Sequence, residues 1–152
     1  MQSEQINELV TALSIANMNF ETVVKDCVNP FYKSKYADLN SCIDATRKAL
    51  SGSGLTVMQT TRYDERGMIL RTTLAHKSGQ YICGEYLLKP VKDDPQGYGA
   101  ALTYARRYAY SAILGIASDD DDDGNVASGK KDIAPKPAQK TSKAHIEDNL
   151  PF

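Results

Sequence analysis

Tryptophan is absent from this 152-residue chain, and its two histidines, His76 and His145, stand alone. A metal centre or a Ser-His-Asp arrangement needs companions at defined spacing, and neither histidine has them. Cysteine is also sparse. Cys27, Cys42 and Cys83 are far apart and odd in number, so they read as reduced thiols of a cytosolic protein rather than a disulfide framework. No apolar run approaches the ~18 residues of a membrane span, and no cationic stretch followed by an apolar one reads as a signal peptide. Neither a membrane nor a metal is expected as a partner. No Gly-Lys-Ser/Thr phosphate loop occurs, and Leu102 stands where a dinucleotide fingerprint would carry a third glycine after Gly97 and Gly99. ATP use is not suggested, and no cofactor is expected. Five acids in a row, Asp119 to Asp123, imitate the start of a calcium loop with Gly124 at its sixth position. Lys130 occupies the twelfth, where a bidentate Glu is needed. Glu85 and Lys89 fall on one strand face, but no upstream acid completes a nuclease set, so no catalytic residues are assigned.

Net charge is only −1, which by itself argues against a nucleic-acid binder. Its distribution says more. Residues 1–118 carry 13 Lys+Arg against 11 Asp+Glu, a balance of +2, and residues 119–152 carry 5 against 8, a balance of −3. A mildly basic body adjoins an acidic tail. Clustering of the cations has to support any claim on a polyanion.

Tyrosine and arginine supply that clustering in residues 96–118. Leu102, Ala105, Ala109, Ala112, Ile113 and Ile116 recur at helical spacing and make a narrow, Ala-rich face. Gly97 and Gly99, after Pro95, read as a flexible entry to the helix. Tyr104 lies one turn from Arg107 and Tyr108, Thr103 one turn from Arg106 and Arg107, and Arg106 one turn from Tyr110. Guanidinium forks suit phosphate oxygens, and rings stack on unpaired bases at about 1–3 kcal/mol each. Arg106 and Arg107 are therefore candidate phosphate ligands. Tyr104 and Tyr108 are candidates for stacking or for supporting the site, although either ring also suits a core.

Earlier in the chain, residues 3–25 read as a helix capped by Ser3, with Ile6, Leu9, Val10, Leu13, Ala16 and Phe20 as its apolar stripe. Asn29-Pro30 breaks the chain. Phe31-Tyr32-Lys33-Ser34-Lys35-Tyr36 then interleaves rings and cations on a short loop, making Lys33 and Lys35 candidate phosphate ligands and Tyr36 a candidate stacking group; the alternative is a loop anchored by its rings. Asp38 caps an expected helix over 39–51 with Leu39, Ile43, Thr46 and Leu50 inward. Arg47, on its outer side, is either a phosphate contact or part of a solvated face. Three alternating runs follow, 55–63, 68–76 and 81–88, joined by polar turns at 64–67 and 77–80. This pattern predicts an antiparallel meander covered on one face by the helix at 97–116. Arg62 and Arg71, on neighbouring strands, either add charge to one side of the sheet or serve as solubilising surface. The expected class is α+β: a three-stranded antiparallel β-meander packed by helices, with a disordered acidic C-terminal tail.

Two segments carry a resemblance. Gly97-Tyr98-Gly99-Ala100-Ala101-Leu102-Thr103-Tyr104-Ala105-Arg106-Arg107-Tyr108-Ala109, followed by Ile113-Leu114-Gly115-Ile116-Ala117 and the Asp run, resembles the signature of the Erf (essential recombination function) family of phage single-strand annealing proteins. Asn29-Pro30-Phe31-Tyr32-Lys33-Ser34-Lys35-Tyr36-Ala37-Asp38-Leu39, leading into a helix and then Gly54-Leu55-Thr56-Val57, agrees in order. The resemblance covers residues 5–125 and leaves the tail out. It implies a compact β-meander with helices on one face. It also implies single-stranded DNA as the partner, and ATP-independent annealing of complementary strands in phage-type recombination. Assembly of the chain with itself into a ring or filament, in the cytoplasm of a bacterial host, belongs to the same expectation.

The remainder divides into an acidic run and flexible linker over 119–146 and a tip over 147–152, after an annealing core over 1–118. Acids at a helix C-terminus oppose its dipole, so the Asp run is expected to peel away. There it would repel DNA from one path or compete with phosphate for the arginines. The tip, Glu147-Asp148-Asn149-Leu150-Pro151-Phe152, resembles that of bacterial single-stranded-DNA-binding protein, with Asn149 interrupting the acids. A carboxylate beside a terminal ring suits a pocket with a cationic rim and an apolar floor. Glu147, Asp148, Leu150, Pro151 and Phe152 are accordingly candidate contacts to host replication or repair proteins. Two other functions stay open: a metal-dependent nuclease using Asp93, Asp94 or the Asp run, and a passive single-strand coating protein.

Overall fold

The computed structural model of the protein describes residues 1–28 and 35–118. Contacts group Met1–Asp122 into one unit, to which every described residue belongs. The elements run α1 (Asn7–Asn17), β1 (Cys27–Val28), β2 (Lys35–Tyr36), α2 (Leu39–Gly52), β3 (Leu55–Asp64), β4 (Gly67–His76), β5 (Tyr81–Leu87) and α3 (Pro95–Leu114).

The three alternating runs form the expected antiparallel meander, in the order β3-β4-β5. Register runs from Leu55↔His76 to Asp64↔Gly67 on one side of β4 and from Ile69↔Leu87 to Ala75↔Tyr81 on the other. Alternation sends successive side chains to opposite faces. Leu70, Thr72, Leu74 and His76 of β4 are buried on one face, and all three helices pack there. The other face carries Arg62, Ile69, Arg71 and Glu85 by register. Backbone of the first residues extends the sheet beyond β5: Ser3 N donates to Tyr81 O at 3.0 Å and Cys83 N to Met1 O at 2.8 Å.

The helices follow local chemistry, with three departures from the sequence reading. Helix α2 begins as predicted, with the Asp38 carboxylate accepting from Ser41 N at 2.7 Å. That bond holds the Asp38 carboxyl below the usual carboxylate range. Helix α1 is shorter than 3–25. Thr22-Val23-Val24 is a β-branched run that loses side-chain freedom in a helix, and the chain there has no regular secondary structure, with Glu21 N donating to Ala45 O. Ser3 does not cap it either, being paired to β5. No side chain of its own caps α1; the buried Gln80 does so from a distance, its Oε1 accepting from Leu9 N at 3.0 Å.

Helix α3 starts earlier than its glycines suggest. Asp94 caps it by accepting from Gly97 N at 2.7 Å, and Pro95 opens its first turn, where a missing N–H costs nothing. Gly97 is thus inside the helix, and a Cβ there would run into the carbonyl oxygen of Lys92. Gly115, at φ 69°, ends α3 in the left-handed conformation that glycine adopts without penalty.

The buried faces also differ. Leu9, Ala12 and Ala16 of α1, Cys42 and Leu50 of α2, Leu55 and Leu74 of the sheet, and Tyr110 and Leu114 of α3 form the main core. On α3, Ala112 is exposed while Arg107, Tyr110 and Ser111 are buried. Polar atoms at these positions are matched within the core. Tyr110 Oη and Thr46 Oγ1 lie 2.8 Å apart, and Thr46 Oγ1 also donates to Cys42 O at 2.8 Å.

Candidate nucleic-acid interface

Helix α3 changes the face it buries along its length. Its first half sets Ala101, Leu102, Ala105 and Ala109 against Leu70 and Leu88. Its second half turns Tyr110, Ile113 and Leu114 into the helical core. The switch leaves Gly99, Ala100, Thr103, Tyr104 and Arg106 exposed along the first half. An Ala-rich sequence with two adjacent arginines permits this, because small side chains let the backbone approach the sheet while the flank stays polar.

Arg106 is clamped at its stem and open at its tip. Its Nε donates to Gln59 Oε1 at 3.1 Å, and Gln59 Nε2 donates back to Arg106 O at 3.0 Å and to Thr72 Oγ1 at 3.0 Å. Gln59 thereby locks the register of α3 on β3. Among the described residues, the Nη atoms of Arg106 make no hydrogen bond. A phosphate-binding fork would present such groups.

Arg107 points the other way. It is 9% exposed, where a phosphate ligand was expected. Its guanidinium carbon lies 4.6 Å from the Tyr36 ring centroid, 4.5 Å from Tyr108 and 5.8 Å from Tyr104. Tyr104 and Tyr108 are themselves 4.3 Å apart at 37°. Arg107 Nη1 donates to Ala37 O at 3.3 Å. A cation over ring faces is worth up to about 2 kcal/mol when desolvated. Arg107 therefore ties the small β1–β2 sheet, paired through Cys27↔Tyr36 and Val28↔Lys35, to the side of α3. The rings and the guanidinium form one ladder whose outer member, Tyr104, is 53% exposed. The Cys27 thiol at the foot of this ladder is pushed up by desolvation first and then by Asp26 and Asp38.

The candidates from sequence fall into four groups. Tyr36, Tyr104, Arg107 and Tyr108 come together here, with Lys35 exposed beside the half-buried Tyr36 and Arg106 leaving the same helix toward Gln59. Arg47 is separate, exposed on α2 and 3.7 Å from an equally exposed Asp44. Arg62 and Arg71 lie on the opposite face of the sheet, and both close on one carboxylate. Arg62 Nη2 and Arg71 Nη2 each reach Glu85 at 2.8 Å, with Arg62 Nη1 at 3.1 Å and Arg66 Nη2 at 2.8 Å from Asp64. Arg62 and then Arg71 hold the Glu85 carboxyl down to about 2, and Arg66 foremost does the same to Asp64, also about 2. Lys33, the Asp run and linker, and Glu147, Asp148, Leu150, Pro151 and Phe152 lie outside the described residues. The sequence reading missed Gln59. Its signal was a polar residue at an inward position of an alternating strand.

The fold is of the α+β class, a three-stranded antiparallel meander with helices packed on one face. The family model of the ERF superfamily matches residues 9–150, and the chain belongs to that family. The match runs past the 5–125 stretch that holds the motifs and includes most of the tail. Membership points to single-strand annealing in phage-type recombination. No curated protein and no solved structure matches the chain. Among the described residues, no helix is long and apolar enough to cross a membrane.

Proposed function

We propose that the protein binds single-stranded DNA along the exposed flank of α3 and anneals complementary strands without ATP. The observation that carries this reading is that one rigid, family-signature helix exposes both an Arg106 fork and the Tyr104 ring. Arg106 and Lys35 hold phosphates, and Tyr104 stacks on a base while Tyr108 and Tyr36 back it. Arg107 acts as a positioning residue. One flank offers few contacts, so many copies side by side, in a ring or filament, supply the affinity. Pairing with a second strand then provides the driving energy. The tip at 147–152 recruits host replication or repair proteins; its deletion removes those contacts and leaves annealing of bare oligonucleotides unchanged.

The deciding experiment is annealing of complementary labelled strands by the wild type and by Arg106→Ala combined with Tyr104→Ala. Loss of annealing with an unchanged fold supports the reading, and unchanged annealing sinks it. The same assay separates a passive coating protein, which protects strands but slows pairing. The nuclease alternative predicts shortened strands in magnesium or manganese. One of its candidate acids is already engaged, since Asp94 caps α3, and the Asp93 charge lies close enough to the Tyr98 phenol to raise its pKa.

A further inference from the structure

The helix layer leaves one end of the sheet uncovered. Helix α3 lies over β4 and β5, while β3 meets α1 and α2. Tyr63 of β3 pairs with Met68, and Met68 packs against Leu70, Leu88 and Ala105 beneath α3. Opposite residues of an antiparallel pair share a face, so Gln59, Thr61 and Tyr63 all point to the helical side. Gln59 is half-buried and bonded to Arg106, but Thr61 is exposed and Tyr63 is 69% exposed. The Tyr98 phenol is pushed up by Asp93 first, then by burial, and last by Tyr63, which places the Tyr63 hydroxyl near the first turn of α3. Strand β3 and helix α3 therefore run antiparallel, Arg106 at Gln59 and Tyr98 near Tyr63, with a cleft between them.

We propose that this cleft is a base-stacking subsite, in which Tyr63 stacks on an unpaired base while the Arg106 fork holds a phosphate of the same strand. The inference rests on reading the exposed flank of α3 as the single-strand site, and it supplies a ring on the side where Arg106 emerges. At about 3.6 residues per turn, Arg106 and Tyr104 leave α3 roughly 200° apart. Ala100, Thr103 and Gly99, all exposed, occupy the outward arc between them, and a Cβ on Gly99 would meet open space. A strand crossing this low saddle from Tyr104 reaches the Arg106 fork and then the cleft. From Gln59 to Tyr63 is about 13 Å along β3, the length of about four stacked nucleotides at ~3.4 Å each. Charge sets the order of the contacts. The Arg106 fork stands at one end of the cleft, and Asp93 and Asp94 flank the other. A phosphate is therefore favoured beside Arg106 and an uncharged base beside Tyr63.

Binding of a labelled oligothymidylate by the full chain, followed by fluorescence anisotropy across salt, tests this. Tyr63→Ala should weaken binding about tenfold at every salt concentration with an unchanged salt slope, since it removes a stacking surface and no cation. Tyr63→Phe should bind like the wild type, and a fully abasic strand should not distinguish Tyr63→Ala from the wild type. The chain has no tryptophan, so Tyr63→Trp provides a single indole reporter whose emission should fall as unlabelled oligothymidylate saturates the protein. The ring is exposed, so urea midpoints of all three variants should match the wild type. Equal affinity of Tyr63→Ala and the wild type overturns the inference, and so does a loss of affinity that Tyr63→Phe shares. Either result leaves the proposed function standing where Arg106→Ala combined with Tyr104→Ala abolishes binding. If no form binds single strands at low salt, the proposed function fails and takes the inference with it.

Discussion

Arg107→Ala should destabilise the fold while leaving the electrostatics of DNA binding nearly intact. The side chain is 9% exposed and over two rings at 4.5 and 4.6 Å. Each such contact, desolvated, is worth about 1 kcal/mol and up to about 2. Removing the donor to the carbonyl of the fully buried Ala37 costs about 1 kcal/mol more. The expected loss is about 3 kcal/mol, or roughly 10 °C in Tm for a unit of this size. Urea unfolding followed by tyrosine fluorescence measures it. Arg107→Lys should not restore the loss, since an ammonium lacks the planar fork that lies over both rings. Below the unfolding transition, the slope of log affinity against log salt should match the wild type. Arg106→Ala should do the reverse, costing under about 0.5 kcal/mol in stability and flattening the slope by about 0.7, the value for one phosphate on a single strand. If Arg107→Ala unfolds like the wild type and flattens the slope, the side chain is a phosphate ligand and the ladder argument is wrong.

Gln80→Ala removes the acceptor of the buried Leu9 N–H and should cost about 1–3 kcal/mol, with hydrogen exchange fastest in the first turn of α1. Thr46→Val leaves the buried Tyr110 hydroxyl without its partner and should cost about 1–2 kcal/mol; adding Tyr110→Phe should recover part of that, read from urea midpoints of the single and double variants. Glu85 has a folded pKa of about 2, against an ordinary 4.5, set by Arg62 and then Arg71. A depressed carboxylate stabilises the fold fully above its unfolded pKa and loses that contribution as pH falls. Urea midpoints should therefore drop between about pH 4.5 and pH 2, and Glu85→Gln should show a shallower drop; an identical profile for the variant would count against the clasp.

Much of the fold was legible because its signals are local. Period-two alternation located β3, β4 and β5 within a residue or so, and Asp38 marked the start of α2 through its capping geometry. Where the reading failed, a distant residue decided. Ser3 has cap chemistry, but β5 pairs with it and Gln80 caps α1 instead. Ala112 fits the apolar face of an ideal helix, but α3 switches partners from sheet to helices midway, and the switch buries Arg107 and Ser111 in its place. The site divides the same way. Spacing brought Tyr104, Arg106, Arg107 and Tyr108 to one helix, yet spacing cannot tell which of two adjacent arginines turns inward. Tyr36, some 70 positions away, settles that by offering a ring face.

A buried arginine in this position has a consequence for the exposed ring. Tyr104 lies against Tyr108, which lies against the Arg107 guanidinium, which Tyr36 and Ala37 in turn hold. An isolated surface tyrosine must lose rotamer freedom when a base stacks on it, and that loss weakens binding by up to about 1 kcal/mol per side chain. A ring already ordered by the ladder has less freedom to lose. On the proposed function, weakening the inner rungs should therefore loosen base stacking without touching the phosphate contacts. The effect would appear as weaker affinity at every salt concentration with an unchanged salt slope. A phosphate ligand and a rung of the ladder thus leave different marks on the same binding curve.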